Sequence, residues 1–368
     1  MKKKEVDYFI IIFILFLTNY MNKTFFSILK KNVLFKFKIY SIFLILIFCI
    51  LFFIKNNIQK INIKKYITIL ICSIFLKKFY LSFFIIIISN FIKKIVRLKI
   101  LLFLLTFFYI LTLILNYLGY LEFNNLQYGI RKFENLHVYR HALGFNHPNT
   151  AMSLLIPIFS LFYYVYYPKY KKLVIVIIII IGKIIFDLTF SRTTFLLIIL
   201  FVILILIKDK YIEKLKILFL AETLFVIFIT FYLTFYFNNS ILNKLFSGRL
   251  WLFNYYLNNH KITLFGYKEI KELYEQFPLD NVYLRTLFEN GILGFILLIL
   301  LLIFTMYILL KNKDYKAIRI FSIILIFGFM EATALFYYFN IIYFIISDYI
   351  FINYKVKKYE KNQNYLGI

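Results

Sequence analysis

Long apolar runs recur from one end of this chain to the other, with only short polar stretches between most of them. A run of about 20 apolar residues wound as an α-helix spans the roughly 30 Å hydrocarbon layer of a bilayer. Only helices and closed barrels satisfy every backbone polar group there. The runs here are much longer than the roughly ten-residue strands of a barrel. With 63% of its 368 residues hydrophobic and a mean hydropathy of +0.83, the chain is not composed like a soluble domain. The expected fold is an all-α polytopic integral membrane protein, with residues 1–368 as a single transmembrane domain.

Spans are expected at 6–20, 39–54, 66–76, 79–92, 98–118, 141–167, 173–190, 193–207, 215–237, 284–310, 317–333 and 335–352. The third and fourth are divided only by Lys77-Lys78, so the count is 11 or 12. Basic residues gather on the cytoplasmic side of membrane helices. The clusters at 93–99, 169–172, 208–216, 311–319 and 355–361 all fall on one side if the spans from 98 onward alternate. The five Lys within 21–38 land on the opposite side, against the rule. The segments facing outward are then 119–140, the turn at Ser191-Arg192, and 238–283. The last is the one large extracytoplasmic loop, with short surface helices expected near Leu250–Leu257 and Ile270–Phe277.

The net charge of +27 fits this basic bias and attraction to anionic headgroups better than it fits a nucleic-acid partner. Cys49 and Cys72 lie inside apolar runs and imply neither a disulfide nor a metal site. The start, three Lys then Val6–Leu17, resembles a signal peptide. No small-residue cleavage pattern follows, so it reads as a retained first span. No Walker A loop or dinucleotide fingerprint is present, which argues against an ATP-driven pump, and no cofactor is expected.

Of the 44 basic residues only seven are Arg, and five of these, Arg131, Arg140, Arg192, Arg249 and Arg285, fall on the outward side. Arg presents a planar, permanently charged fork that grips phosphate or carboxylate, whereas Lys is a point charge. Such placement points to an outward-facing site for an anionic substrate.

Three segments carry the candidate residues. The first runs from Arg131 through Arg140 to Asn149 and holds three of the four His. Gly144 and Pro148 interrupt the start of the next helix. The segment reads either as an anion-binding rim built from Arg131, Arg140, His147 and Asn149, or as a basic loop with Pro148 at a helix start. In the second, Lys183 and Asp187 sit one turn apart and can neutralise each other, while Arg192 has no neighbouring acid and reads as a ligand for pyrophosphate or as a snorkelling contact to lipid. The third contains Gly248-Arg249-Leu250-Trp251, Gly266, Asp280-Asn281, Arg285 and Glu289-Asn290-Gly291. Arg285 has Glu289 one turn on and reads as structural. Arg249 has no local carboxylate and reads as free for substrate. Asp280 is a candidate general base, or simply the N-cap of the span that follows, and Asn281 beside it is a candidate substrate ligand. Trp251 is an interface anchor or a sugar-stacking platform.

The order of these pieces, H-P-N after an Arg-rich loop, T-x-S-R-T at a span end, then a long loop opening G-R-x-W and closing F-G, D-N-x-Y and E-x-G-I-L-G, resembles the O-antigen and capsule polymerases of the Wzy type. It is also similar to the related O-antigen ligases. The likeness covers about 119–310. It implies a metal-independent membrane glycosyltransferase in the cell (inner or cytoplasmic) membrane that joins polyprenyl-pyrophosphate-linked oligosaccharides on the outer face. It implies that Arg192 and Arg249 hold the donor pyrophosphate, and that membrane lipids, a flippase and a chain-length regulator are neighbours. Arg140 and His147 match the family's earlier outer loop. Ligases carry His-Asn where this chain has Asp280-Asn281, a departure that leaves the base open between family patterns.

The alternatives are a ligase passing lipid-linked glycan to another acceptor, and a flippase or exporter of the same molecule. The transport reading expects charges lining the bilayer midplane. In sequence only Lys183 and Asp187 are expected at depth.

Overall fold

The computed structural model describes residues 93–121, 131–133, 136–138, 140–237, 242–243, 246, 248–267, 278–336 and 339–351. The expected spans at 6–20, 39–54, 66–76 and 79–92, the Lys cluster in 21–38 and the surface helix at 270–277 lie outside them. The described residues divide into two compact units, the first ending at Val202 and the second beginning at Ile203.

The first unit contains α1 (Lys94–Tyr117), a hairpin of β1 (Arg131–Phe133) and β2 (Leu136–Val138), α2 (Pro148–Ser153), α3 (Leu155–Tyr166), α4 (Lys171–Thr189) and most of α5 (Arg192–Leu206). The hairpin is antiparallel, with Arg131 opposite Val138 and Phe133 opposite Leu136. It lies in the segment expected as loop 119–140; the other described elements are helices, as expected. The helix α1 packs against α3, and α4 against both α2 and α3. The span expected at 141–167 begins only at Pro148 and is interrupted at Leu154. Gly144 explains the late start: its φ is +84°, and a Cβ there would meet Asn116 and Leu121 at 2.9 Å. Only glycine combines that backbone with that space. Pro148 then takes a first-turn position, where its missing N–H costs nothing.

The second unit contains α6 (Asp209–Lys214), α7 (Lys216–Tyr236), α8 (Arg249–Asn259), α9 (Val282–Lys311), α10 (Tyr315–Met330) and α11 (Ile342–Phe351). Within it α7, α9 and α10 pack mutually, α8 lies on α7, and α11 contacts α9 and α10. Arg319 of α10, nearly fully buried, donates from Nε to the Leu204 carbonyl at 2.9 Å and from Nη2 to Asp209 at 2.6 Å. It thereby satisfies a carbonyl in the last turn of α5, where a cation is favoured. Nearby, Lys313 pairs with Glu213 at 2.7 Å, which lowers the Glu213 carboxyl below its ordinary range and raises the Lys313 ammonium.

The helix α9 is broken at Gly291, where φ is +71° and ψ −172°. A strap formed by 263–267 fills the break. The N–H of Ile292 donates to the Thr263 carbonyl (3.0 Å), Leu293 to Leu264 (3.3 Å), and Tyr267 to Phe288 (2.9 Å). The strap thus supplies the acceptors that the broken helix no longer offers. Contact is backbone to backbone. A Cβ on Gly291 would lie 2.3 Å from the Leu264 oxygen, and one on Gly266 would lie 2.3 Å from the Glu289 backbone.

Among the described residues four helical stretches are long and apolar enough to cross a membrane: Lys94–Tyr117, Pro148–Tyr166, Lys216–Tyr236 and Val282–Lys311. The apolar helix Arg192–Leu206 is shorter. The span expected at 335–352 is corrected to the ten-residue α11, with a turn described at 332–336 ahead of it. Its apolar character reflects burial: Ala334, Leu335, Phe339, Ile341 and Ile342 are all core residues. Hydropathy alone does not separate a core turn from a span.

Candidate functional site

Each unit gathers a set of polar side chains around its sequence-predicted residues. In the second unit the organising contact is Asn281. Its Oδ1 caps α9 by accepting from the Leu284 N–H (2.9 Å), while its Nδ2 donates to the Phe329 carbonyl at the end of α10 (3.1 Å). Tyr283 continues the seam, donating to the Leu325 carbonyl at 2.6 Å. Gly328 leaves room for it, since a Cβ there would meet Val282 at 2.8 Å and the Tyr283 hydroxyl at 3.0 Å. This seam sets the start of α9 beside the end of α10. The residues flanking it, Asp280 and Glu331, come alongside each other.

Arg249 enters between them. It is the first residue of α8, after Gly248 in the left-handed region (φ +81°). Phe253 of α8 and Phe246 just ahead of it both meet the Phe329 ring edge-on, fixing the helix against the same seam. Nη2 of Arg249 lies 3.2 Å from Asp280 Oδ2 and 3.6 Å from Glu331 Oε1. Arg249, expected to be free for want of a local carboxylate, has two, both distant in sequence and brought close by the seam. Its side chain is 9% exposed, Glu331 18% and Asp280 37%. Both contacts use Nη2. Among the described residues the Nε–Nη1 edge of the fork makes no hydrogen bond or ion pair.

Asn281 is fully buried and bound on both sides of its amide, so its place among the substrate ligands is corrected to that of a structural joint. Asn281, not Asp280, caps α9. Arg285 pairs with Glu289 at 2.8 Å, in line with its structural reading. Trp251 is 44% exposed, and its indole stacks on Tyr255 at a centroid distance of 5.9 Å. Burial pushes the neighbouring Tyr256 phenol up to about 12, with Tyr255 adding to the shift.

In the first unit Arg140 is 3% exposed. Its Nε donates to the Thr189 carbonyl (2.9 Å) and its Nη2 to Asn149 Oδ1 (2.6 Å). His147 caps α2, its Nδ1 accepting from the Asn149 N–H at 3.0 Å. The His141 N–H donates to the Leu188 carbonyl at 2.8 Å. Arg140, His147 and Asn149 therefore interlock and lay the segment 140–149 across the C-terminal end of α4. Arg140 and Asn149, both expected as rim ligands, thus engage each other. The same turn carries Arg192. Phe190 takes a left-handed conformation (φ +46°), Ser191 hydrogen-bonds Thr194 at 3.3 Å, and Arg192 opens α5, partly exposed. Arg131 has its backbone in β1. Lys183 and Asp187 form the expected ion pair, with both side chains more than half exposed on α4.

Two acids escaped the sequence reading. Glu331 is the one acid between Asp314 and Asp348, and Glu222 the one between Glu213 and Glu269. Solitude in an apolar stretch was the available signal for each. Glu222 adds a third titratable group to the Lys183 and Asp187 expected at depth: it sits within α7 and accepts a hydrogen bond from Ser322 at 2.6 Å. Among the described residues no three His, Cys, Asp or Glu side chains come together as a metal ion would require. No protein-family model, curated protein or solved structure matches the chain.

Proposed function

We propose that this chain is a multi-pass cell-membrane glycosyltransferase that joins polyprenyl-pyrophosphate-linked oligosaccharide units into a surface polysaccharide, in capsule or O-antigen fashion. The observation that carries this reading is the Arg249–Asp280–Glu331 cluster beside long apolar helices. A sugar leaving a lipid pyrophosphate needs the developing negative charge on its leaving group stabilised. A fixed guanidinium does this through charge-assisted, bidentate hydrogen bonds. The two carboxylates hold Arg249 by one nitrogen and leave the other edge of the fork for phosphate oxygens. The attacking hydroxyl of the acceptor sugar needs a group to take its proton, and the greater exposure of Asp280 supports that carboxylate as the acceptor. Glu331 then keeps the guanidinium in position. Trp251 and Tyr255 offer an aromatic face for sugar rings, and apolar helix surfaces suit the lipid tail. In the first unit Arg192, which opens α5 and is partly exposed, is the candidate phosphate ligand.

The test is the size profile of surface glycan in a strain lacking this chain, complemented with wild type, Arg249→Ala or Arg192→Ala. Single repeat units in place of a ladder, with the variant protein still present in the membrane, are expected for Arg249→Ala. A wild-type ladder from that variant would sink the proposal. Polymer retained on lipid would instead indicate ligation. The absence of His-Asn at 280–281 already weighs against a ligase, and the Asn there serves as a joint. A transport reading is favoured by one observation, the acid within α7. Its sign would be unpolymerised units trapped on the cytoplasmic side.

A further inference from the structure

The proposed transfer reaction makes no use of Glu222. This acid lies six residues into α7, about 9 Å along the helix from Lys216. Its helix neighbours Leu218, Leu224 and Phe225 are all more than half exposed, the mark of a helix side that meets hydrocarbon in a membrane. Glu222 itself is partly buried, and its carboxyl turns onto α10, where Ser322, 1% exposed, donates to Oε2 at 2.6 Å.

The groups facing it come from each helix packed on α7. From α10 there is the Ser322 hydroxyl. From α9 there is the buried Tyr283 phenol, within electrostatic reach, though its proton goes to the Leu325 carbonyl. From α6 the nearest acid, Glu213, is taken by Lys313 and Lys216. The helix α8 meets α7 far away, where Asn254 binds the Thr234 carbonyl. Among the described residues no cation pairs with Glu222.

An ionised carboxylate in an apolar setting without a cation is costly by many kcal/mol, and such groups keep their proton instead. A neutral carboxylic acid with one hydroxyl partner costs far less. Acids of this kind inside membrane helices serve as stations for protons. We propose that Glu222, backed by Ser322, is an intramembrane proton-binding site. The proposal rests on the membrane part of the function proposed above and is independent of glycosyl transfer.

The experiment uses the full chain in lipid nanodiscs, treated at pH 7.5 with dicyclohexylcarbodiimide, an apolar reagent that modifies protonated carboxyl groups, and read by peptide mass spectrometry. An adduct on Glu222 is expected, with Asp209 and Glu213 at the helix ends unmodified. The adduct should vanish in Glu222→Gln. In Ser322→Ala the donor that favours the ionised form is gone, so the pH at which labelling falls off should move upward. A second readout is the infrared carbonyl band of a protonated carboxylic acid at pH 7.5, lost in Glu222→Gln. No adduct and no such band, in protein that resists alkaline carbonate extraction from its native membrane, would overturn the proposal. Protection by sodium at constant pH would also overturn it, since the site would then belong to a metal cation. Release of the chain by carbonate would instead remove the membrane reading itself.

Discussion

Removing the charge of Arg249 tests whether its guanidinium offsets the repulsion between Asp280 and Glu331. The oxygens lie 3.2 and 3.6 Å from the same nitrogen, so they are within about 7 Å of each other. At that separation and an effective dielectric of about 20, two negative charges repel by about 2 kcal/mol. Asp280 is 37% exposed, and solvent there reduces the figure to about 1–2 kcal/mol. Arg249→Gln keeps most of the side-chain length and adds the loss of two partly buried ion pairs, so the total cost is expected at about 2–4 kcal/mol. The discriminating variant is Glu331→Gln. In the wild-type background it removes a partner of Arg249 and should destabilise. In the Arg249→Gln background it removes the repulsion and should restore about 1–2 kcal/mol. Denaturant unfolding of the four purified proteins in mild detergent closes the double-mutant cycle. Refutation would be additivity, with Glu331→Gln equally harmful in both backgrounds.

Two further outcomes follow from the geometry. Gly291→Ala or Gly266→Ala forces a Cβ to within 2.3 Å of backbone across the strap, so either should lower the midpoint of thermal unfolding by far more than Gly119→Ala, where a Cβ meets nothing within 4 Å. Tyr256 keeps its proton up to about pH 12 in the folded chain but releases it near 10 when unfolded, so its contribution is complete below pH 10 and fades as pH rises toward 12. The alkaline loss of thermal stability over that window should therefore be smaller in Tyr256→Phe than in wild type.

Helix positions were legible because uninterrupted apolar runs leave little choice. The expected spans at 98–118, 173–190, 193–207, 215–237, 284–310 and 317–333 each coincide with a helix to within a few residues. Punctuation was legible too, since Gly144 and Pro148 end one segment and start another for reasons visible in the residues. What the sequence withheld was tertiary. Arg249 looked free because its two carboxylates come from remote positions, and the joint that delivers them, Asn281, passed for a ligand. Arg140 passed for a ligand too, because nothing local showed that Thr189 and Asn149 would absorb its donors. The hairpin at 131–138 hid inside a segment too polar and irregular for a periodicity argument.

The break in α9 also bears on length. An unbroken helix from Val282 to Lys311 would measure about 45 Å, half as long again as a bilayer's apolar thickness, and would have to lean steeply or thicken the lipid around it. Turning the chain at Gly291 leaves the part from Ile292 to Lys311, about 30 Å, to match that thickness. The leading turns, with Asn281, Tyr283 and Arg285, are released from that constraint and stay with the seam and the strap. In the proposed membrane protein one glycine thus relieves hydrophobic mismatch and separates the polar leading turns from the apolar run that follows.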